Sequence, residues 1–127
     1  MKLVIIDDEP AALAALRGMI ERRANGAQVV GEARNALEGI KLIQRERPDL
    51  VLLDIEMPHG SGFDLLEAFP ERTFHVIYTT AHEEHAVRAA HTHPFDYLLK
   101  PVDPDELNEA LDQLAARGTT AAPKRIE

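Results

Sequence analysis

Polar side chains that could carry out phosphoryl chemistry follow four of the short apolar runs in this 127-residue sequence. In chain order they are Asp7, Asp8 and Glu9, then Asp54 and Glu56, then Thr79 and Thr80, and finally Lys100. Several carboxylates in one place hold protons unless a cation neutralises them, and oxygen ligands that keep several waters suit Mg²⁺. The combination of acids, hydroxyl and amine therefore predicts magnesium-assisted transfer of a phosphoryl group to a carboxylate.

Each residue type has a defined task in that reaction. The lysine adds a second positive charge beside the phosphoryl oxygens, and a threonine hydroxyl donates a hydrogen bond to one of them. A carboxylate such as that of Asp54 can act as the nucleophile and become an acyl phosphate. The residue types alone leave open which carboxylate does so.

Taken singly, these residues have simpler explanations. Residues 8–10 are typical of a helix start, with Asp8 as the cap and a proline in the first turn. Asp54 could satisfy the backbone of a turn, Thr80 could reflect strand propensity, and Lys100 could be a solvated surface lysine. The functional interpretation depends on four separate strand ends each delivering one required group.

The apolar runs themselves predict the scaffold. They cover residues 3–6, 29–30, 50–53, 76–78 and 97–99. Short continuous runs rich in Val, Ile and Leu are typical of strands buried on both faces in a parallel sheet. Because ligands of open parallel α/β sheets bind beyond the carboxyl ends of the strands, the polar residues are expected to meet at one edge.

Helical periodicity fills the segments between the runs. The clearest stripes are Leu13, Leu16, Met19 and Ile20, then Leu37, Ile40 and Ile43 before Pro48, and finally Leu107, Leu111 and Leu114. Weaker patterns predict helices around residues 64–69 and 83–90. Alternation of strand and helix five times over predicts an α/β doubly wound sheet with right-handed crossovers.

The last ten residues break this alternation. Gly118 can end the last helix, and the residues after it have no periodicity. We therefore expect one domain over residues 1–117, and a tail or the start of an interdomain linker over residues 118–127.

Composition excludes several classes of protein. The chain is 45% hydrophobic and 28% charged, as soluble globular domains are, and the absence of cysteine removes disulfides, thiolate metal sites and cysteine nucleophiles. A formal charge of −8 disfavours direct nucleic-acid binding by this segment. The apolar runs are too short for a membrane helix or a secretory signal, so no membrane association is expected and the predicted location is cytoplasmic.

Residues 2 to about 117 resemble the receiver domain of two-component response regulators. Four motifs carry the resemblance in family order: residues 4–10, residues 49–58 with Gly62 in register, residues 77–81 and residues 96–101. The resemblance implies a CheY-like, flavodoxin-like (βα)5 fold of strand order 2-1-3-4-5. It also implies a histidine kinase partner, and a signalling phosphoacceptor that assists its own phosphorylation and dephosphorylation but is not a metabolic enzyme.

The resemblance assigns the metal and phosphoacceptor residues. Asp54 is implied to be the phosphoacceptor. Asp7 and Asp8 are implied to be the acidic pair that binds Mg²⁺ together with Asp54, with Asp8 as the more direct ligand. The backbone carbonyl of Glu56 would complete the protein ligands.

The resemblance also assigns a switch. Thr80 is the implied switch hydroxyl, Tyr97 the aromatic whose rotamer couples to it, and Lys100 the partner of the phosphoryl group, with a cis bond to the following proline. In this family, the residues two after the acceptor and two after the switch threonine tune phosphoryl lifetime. Glu56 and His82 occupy those positions here and are expected to do so.

The expected output is a change of assembly. The helix around residues 86–90, with the last strand and last helix, corresponds to the family's output face, so we expect phosphorylation to strengthen a homodimer there; ordinary packing against the sheet is the alternative. Residues 95–102 resemble regulators of the LytR/AlgR type, which carry a LytTR DNA-binding domain and regulate transcription. A stand-alone single-domain receiver is the rival.

Other classes fit less well. Phosphatases with an aspartyl phosphate need an Asp-x-Asp pair and a cap, whereas Asp7 and Asp8 are adjacent. A flavin carrier of the same fold would need a phosphate loop where these acids would repel phosphate. A pseudo-receiver that serves only as an interaction module stays open. His82 and His85 have a spacing that can bind zinc, although a solvated helix face is the simpler interpretation.

Overall fold

Five parallel strands form one sheet in the order β2-β1-β3-β4-β5, so the predicted fold class and strand order are confirmed. The computed structural model describes residues 1–23 and 26–117. The strands are β1 (Lys2–Ile6), β2 (Gln28–Ala33), β3 (Leu50–Asp54), β4 (His75–Thr80) and β5 (Asp96–Leu99). The helices are α1 (Pro10–Glu21), α2 (Ala36–Glu46), α3 (Gly62–Glu67), α4 (Ala86–Ala90), which follows a 3₁₀ turn (Glu83–His85), and α5 (Pro104–Arg117).

Helices cover both faces of the sheet. Side chains of β1 alternate between the two cores: Val4 and Ile6 face the cluster under α2, α3 and α4, whereas Leu3 and Ile5 face the cluster under α1 and α5. This two-sided burial explains why the central strands appear in the sequence as continuous apolar runs rather than as alternating patterns.

The strand register brings the carboxyl ends of the strands to a common edge. Ile6 pairs with Leu53, so the residues that follow β1 lie beside the end of β3. Asp54 in turn pairs with Thr79 of β4. Thr80 pairs with Leu99, the residue before Lys100. The polar residues predicted to meet therefore lie on neighbouring strands at one end of the sheet.

The buried face of α2 differs from the predicted stripe. Leu37 was expected to face the core but is 62% exposed, whereas Ala36 and Gly39 are buried. A Cβ atom on Gly39 would lie 2.8 Å from the side chain of Leu65 and 2.9 Å from that of Ile6. Small residues let α2 approach β1 and α3 closely, and this closeness sets the orientation of the helix.

The start of α1 also differs in detail. The helix begins beside Pro10 as expected, but its N-cap residue is Glu9, and its side chain makes no capping hydrogen bond among the described residues. The interpretation of Asp8 as the cap is therefore wrong. By contrast, Asn35 caps α2 by accepting a hydrogen bond from the Glu38 N–H at 2.8 Å.

The two weakly predicted helices are shorter or displaced. The helix α3 begins at Gly62, two residues before the predicted start, because Ser61 and Asp64 form a reciprocal capping box there. Of the predicted helix over residues 83–90, the first three residues form the 3₁₀ turn and only Ala86–Ala90 is α-helical. Gly118 and the predicted tail lie outside the described residues, so that boundary stays a prediction.

Among the residues that the structure describes, no helix has the length and apolar character needed to cross a bilayer.

Candidate functional site

Three carboxylates meet where β1 and β3 end. Asp7, Asp8 and Asp54 each offer an oxygen, and these oxygens lie within 4.8 Å of one another. Asp7 is 0% and Asp54 is 3% exposed, whereas Asp8 is partly open to solvent. Asp7 is held in place because its Oδ1 accepts a hydrogen bond from the Glu9 backbone N–H at 3.0 Å. We call these three carboxylates, together with the ammonium of Lys100, the acidic pocket.

Lys100 brings a positive charge to the carboxylates. Its Nζ atom lies 2.8 Å from Asp7 Oδ2, 3.4 Å from Asp54 Oδ1 and 3.7 Å from Glu9 Oε1. Its backbone N–H donates to the Thr80 carbonyl at 2.7 Å, which extends the pairing of β4 and β5 by one residue. The Lys100–Pro101 peptide bond is cis, as the resemblance implies.

Burial and crowding change the proton affinity of the pocket. Burial, reinforced by the negative charge of Asp7, raises the pKa of Asp54 to about 7, although Lys100 opposes this shift. Burial alone would lower the pKa of Lys100, but its hydrogen bond to Asp7 and the surrounding negative charges raise it instead. The pocket therefore favours bound cations: an ammonium is already there, and a carboxylate tends to take up a proton.

The donor set of the pocket fits a hard divalent cation. The three candidate ligands are all carboxylates, one of them partly open to solvent, as magnesium sites that keep several waters require. No nitrogen or sulfur ligand belongs to this group of described residues. The chemistry of the pocket thus matches Mg²⁺ better than a transition metal.

A close backbone approach shapes the loop that carries Glu56. The Gly62 N–H donates to the Ile55 carbonyl at 2.9 Å, which folds the loop after β3 back on itself. A Cβ atom at Gly62 would lie 2.6 Å from the backbone oxygen of Asp54. Only glycine fits this position, and α3 can therefore begin directly against the end of β3.

Thr80 and Tyr97 contact the same residue. Thr80 is buried, and its Oγ1 accepts a hydrogen bond from the His82 backbone N–H at 3.1 Å. The Tyr97 hydroxyl donates to the His82 carbonyl at 2.6 Å. Burial, with the negative charge of Glu84 adding to it, raises the pKa of Tyr97, so the hydroxyl remains a donor at neutral pH. The two predicted switch residues are thus linked through the backbone of His82.

The side chain of Glu56 points to two histidines. His82 Nε2 lies 3.1 Å from Glu56 Oε2, and His85 Nε2 lies 2.7 Å from Oε1. The hydrogen bond from His85, followed by the charge of His82, lowers the pKa of Glu56. Glu56 and His82, predicted to act at the same site, are therefore in contact. The spacing of the histidines paired His85 only with His82, and its contact with Glu56 was not predicted.

Sequence reasoning also missed Arg34. Its guanidinium Nη2 and Nε donate to the backbone carbonyl of Asp8 at 3.2 and 3.4 Å. The contact joins the loop after β2 to the loop that carries the acidic pair. No motif singles out this arginine, because its partner is a backbone atom 26 residues away.

The predicted output face is open at its centre. Val87 of α4 is 73% exposed, Leu99 at the end of β5 is 40% exposed, and only Ala89 of the helix is buried. β5 is also an edge strand of the sheet. Packing against the sheet accounts for Ala89 but leaves Val87 and Leu99 exposed.

Comparison with known proteins decides the family. The family model described as the response regulator receiver domain matches residues 3–112. The chain belongs to the response regulator receiver family. Receivers are signalling domains of two-component systems, are generally Mg²⁺-dependent and interact with histidine kinases. The family named from the sequence motifs is thereby confirmed.

Individual relatives agree with this family. The transcriptional regulatory protein BtsR of Escherichia coli strain K12 is 40% identical over 115 residues, which are 90% of this chain and 48% of BtsR. An uncharacterized response regulatory protein of Yersinia pestis is 42% identical over 116 residues, which are 91% of this chain and 48% of that protein. The chain thus spans about half the length of the curated relatives it matches.

Solved structures show the same fold. The receiver domain of AraT, a response regulator from Geobacillus stearothermophilus, matches with a TM-score of 0.83 at 32% identity. The match covers 91% of this chain and 93% of that domain.

Proposed function

We propose that this receiver takes a phosphoryl group from a histidine kinase onto Asp54, with Mg²⁺ bound in the acidic pocket. The observation that carries the proposal is the meeting of Asp7, Asp8 and Asp54 beside the ammonium of Lys100. A buried cluster of this kind costs stability unless a cation completes it. Its position at the carboxyl edge of a parallel sheet is where such folds bind ligands.

The residues of the pocket divide the work. The carboxylates of Asp8, Asp54 and Asp7 and the backbone carbonyl of Glu56 would hold Mg²⁺. The bound ion supplies positive charge that offsets the phosphoryl oxygens. One oxygen of Asp54 attacks phosphorus; an O–P bond forms as the N–P bond of a phosphohistidine breaks, and the electron pair leaves with the imidazole. Lys100 pairs with a phosphoryl oxygen.

Deprotonation of Asp54 is the chemical requirement of this step. The raised pKa of Asp54, about 7, means that the carboxylate is only partly ionised near neutral pH without a metal ion. A cation in the pocket stabilises the ionised form, so metal binding also prepares the nucleophile.

A surface suited to a protein donor lies beside the pocket. Small side chains of α1, together with Pro101 and Val102, line an apolar groove that ends at Lys100 and Glu9. Ala11 and Ala15 on this groove are exposed. A helical partner lying here would bring its phosphohistidine to Asp54, which supports a kinase as the donor.

Phosphorylation is proposed to act through Thr80 and Tyr97. A phosphoryl group on Asp54 would draw the Thr80 hydroxyl and Lys100 inward, and Tyr97 would follow through His82. This shift would strengthen a homodimer through the face of α4, β5 and α5. The exposed Val87 and Leu99 support the proposal because they offer apolar area on that face.

We further propose that the output is transcriptional and of the LytTR type. Residues 95–102 support this assignment by their resemblance to LytR/AlgR regulators. The relatives named as transcriptional regulators are about twice the length of the matched region. In this view residues 1–117 are the receiver, residues 118–127 begin a linker, and the receiver itself does not touch nucleic acid or membrane. The gene sequence downstream of codon 127 tests this: a LytTR domain supports it, and a stop codon would instead make the chain a stand-alone receiver.

Incubation with acetyl phosphate and Mg²⁺, followed by intact-mass measurement, tests the phosphoacceptor proposal. Wild-type protein is expected to gain the mass of one phosphoryl group. Asp54→Asn is expected to gain none, whereas Asp49→Asn, which alters an acid at the opposite end of β3, is expected to gain it normally. A wild-type protein that gains no mass would make the chain a pseudo-receiver, and the proposal would be wrong.

A further inference from the structure

Two imidazoles from the segment after β4 contact the carboxylate of Glu56, one at each oxygen. His82 Nε2 lies 3.1 Å from one oxygen and His85 Nε2 lies 2.7 Å from the other. The carboxylate belongs to the loop after β3, whereas His82 directly precedes the 3₁₀ turn and His85 is the last residue of that turn. We call these three side chains the clasp, and we call residues 81–90 the β4–α4 segment. The clasp is a side-chain contact between that segment and the edge of the acidic pocket.

Packing holds His85 in the orientation that the clasp needs. Its ring meets the ring of Phe63 edge to face, with centroids 6.1 Å apart, and meets His82 in the same way at 6.0 Å. Phe63 is buried in α3, and the guanidinium of Arg88 covers its ring at 4.4 Å. An isolated surface ion pair contributes little to stability, because forming it restricts two mobile side chains. Here neighbouring rings already order the imidazole.

His82 connects the clasp to both predicted switch residues. Its backbone N–H donates to Thr80 Oγ1 at 3.1 Å, and its carbonyl accepts from the Tyr97 hydroxyl at 2.6 Å. Its ring meanwhile contacts Glu56 through Nε2 and Glu84 through Nδ1. A movement of Thr80 toward a phosphoryl group, or of Tyr97 away from His82, therefore has to shift a residue that is held by its side chain.

We infer that the clasp is an autoinhibitory contact that holds the β4–α4 segment in its unphosphorylated arrangement. His85 is its positioning residue, because it contacts Glu56 and His82 rather than the phosphoacceptor itself. Contacts made in one of two states bias the equilibrium toward that state. The inference rests on the proposed function, since phosphorylation supplies the force that opens the clasp.

Affinity for beryllofluoride, a phosphoryl mimic, measures this bias. A ligand that binds only one conformation has an apparent affinity reduced in proportion to the population of that conformation. Loss of one hydrogen bond in the clasp should shift the equilibrium by the net value of such a bond. We therefore expect His85→Ala to tighten the apparent beryllofluoride Kd, measured with saturating Mg²⁺ at constant pH, by about 3- to 10-fold.

Three further variants separate the clasp from general effects of mutation. Glu56→Ala keeps the backbone carbonyl and removes a half-exposed side chain that contacts both imidazoles, so it should tighten binding by at least the same factor. His85→Gln provides an amide donor for Glu56 and should return the Kd toward the wild-type value. His91→Ala removes an exposed histidine at the end of α4 and should leave the Kd unchanged.

The double variant His85→Ala/Glu56→Ala completes the test. Because Glu56→Ala already removes the contacts of Glu56 with His82 and His85, the Kd of the double variant should equal that of Glu56→Ala rather than reflect the product of the two effects. Unchanged or weaker binding in His85→Ala and Glu56→Ala, or multiplicative effects in the double variant, would overturn the clasp while leaving the proposed function intact. If wild-type protein with Mg²⁺ does not bind beryllofluoride, the proposed function fails and the clasp fails with it.

Discussion

The acidic pocket and the β4–α4 segment differ in how firmly the fold holds them. The pocket extends from β1 and β3, whose apolar residues are at most 1% exposed. The segment contains a five-residue helix that buries only Ala89 and has no side-chain cap among the described residues. Helices this short are unstable alone, and sparse burial lowers local stability. The proposed phosphoryl chemistry thus lies on a rigid edge, and the proposed response lies on a segment that small free energies can move.

The largest expected effect is a loss of stability when a side chain is added at Gly62, at the edge of the acidic pocket. Gly62→Ala places a Cβ atom 2.6 Å from the backbone oxygen of Asp54. We expect the free energy of unfolding to fall by about 3 kcal/mol or more, because backbone atoms have to move. Urea denaturation measures this change.

Gly18→Ala is the matched control for that experiment. A Cβ atom there meets only the flexible end of Arg22, at 3.4 Å, in the middle of α1. Its stability should rise by about 0.5–1 kcal/mol. Equal destabilisation by the two substitutions would contradict the description of a rigid edge.

The next largest effect is expected from the ionised carboxylate of Asp54, which should lower the stability of the folded protein at high pH. Because the pKa of Asp54 is raised from 3.8 to about 7 in the folded state, the folded protein holds this proton where the unfolded chain has lost it. Its contribution to stability is therefore present below about pH 4 and is lost as the pH rises through about 7. Without Mg²⁺ at pH 8, Asp54→Asn should exceed wild type in stability by about 2 kcal/mol.

Two changes of condition serve as controls: a lower pH, and the addition of Mg²⁺ at pH 8. At pH 4 the two proteins should differ little, because Asp54 is then protonated in the folded state. Saturating Mg²⁺ at pH 8 should stabilise wild type and not Asp54→Asn. If Asp54→Asn is less stable than wild type at pH 8 without metal, the ionised carboxylate of Asp54 does not destabilise the folded protein, and the prediction is wrong.

A smaller effect is expected on the output face. Val87→Asp places a charge on an exposed position of α4, so stability should change by no more than about 0.5 kcal/mol. The beryllofluoride-dependent homodimer should weaken by about 10-fold, because a charge would then lie in an apolar contact. Light scattering over a concentration series measures this. Leu37→Asp is the control, because Leu37 is also exposed, at 62% against 73% for Val87, but lies on α2. Equal weakening by both substitutions would place the dimer elsewhere.

The smallest effect should come from Tyr97→Phe. This change removes only the hydroxyl that donates to the His82 carbonyl at 2.6 Å. We expect a loss of about 1 kcal/mol in unfolding free energy, as for a typical hydrogen bond. Rates of phosphorylation by acetyl phosphate should stay within about 3-fold of wild type, since the pocket is held independently. A much larger rate change would mean that the hydrogen bond of Tyr97 also controls the geometry of the acidic pocket.

The same difference in rigidity explains what the sequence could predict. Strands buried on both faces appear as apolar runs, and the residues directly after them could be assigned to one edge before any coordinates. Asp7, Asp54 and Lys100 were predicted to meet in this way, and they do. The role of each residue came from the family resemblance and not from the pattern.

The hydrophobic pattern of the sequence did not predict the buried face of α2, the contact of His85, or the extent of the short helix α4. The stripe through Leu37 was misplaced because small residues, Ala36 and Gly39, form the contact, and a search for large apolar side chains overlooks them. The contact of His85 with Glu56 joins residues 29 positions apart, which no local periodicity reveals. Short helices such as α4 have too few turns to show a clear period.

Mapping the phosphorylated residue tests the central claim most directly. Protein treated with acetyl phosphate and Mg²⁺ is reduced with borohydride, which converts an acyl phosphate of aspartate to homoserine, and is then digested and analysed by mass spectrometry. The account predicts homoserine at position 54, dependent on Mg²⁺. Homoserine at position 7 or 8, or none at position 54 in protein that has gained phosphoryl mass, would contradict it.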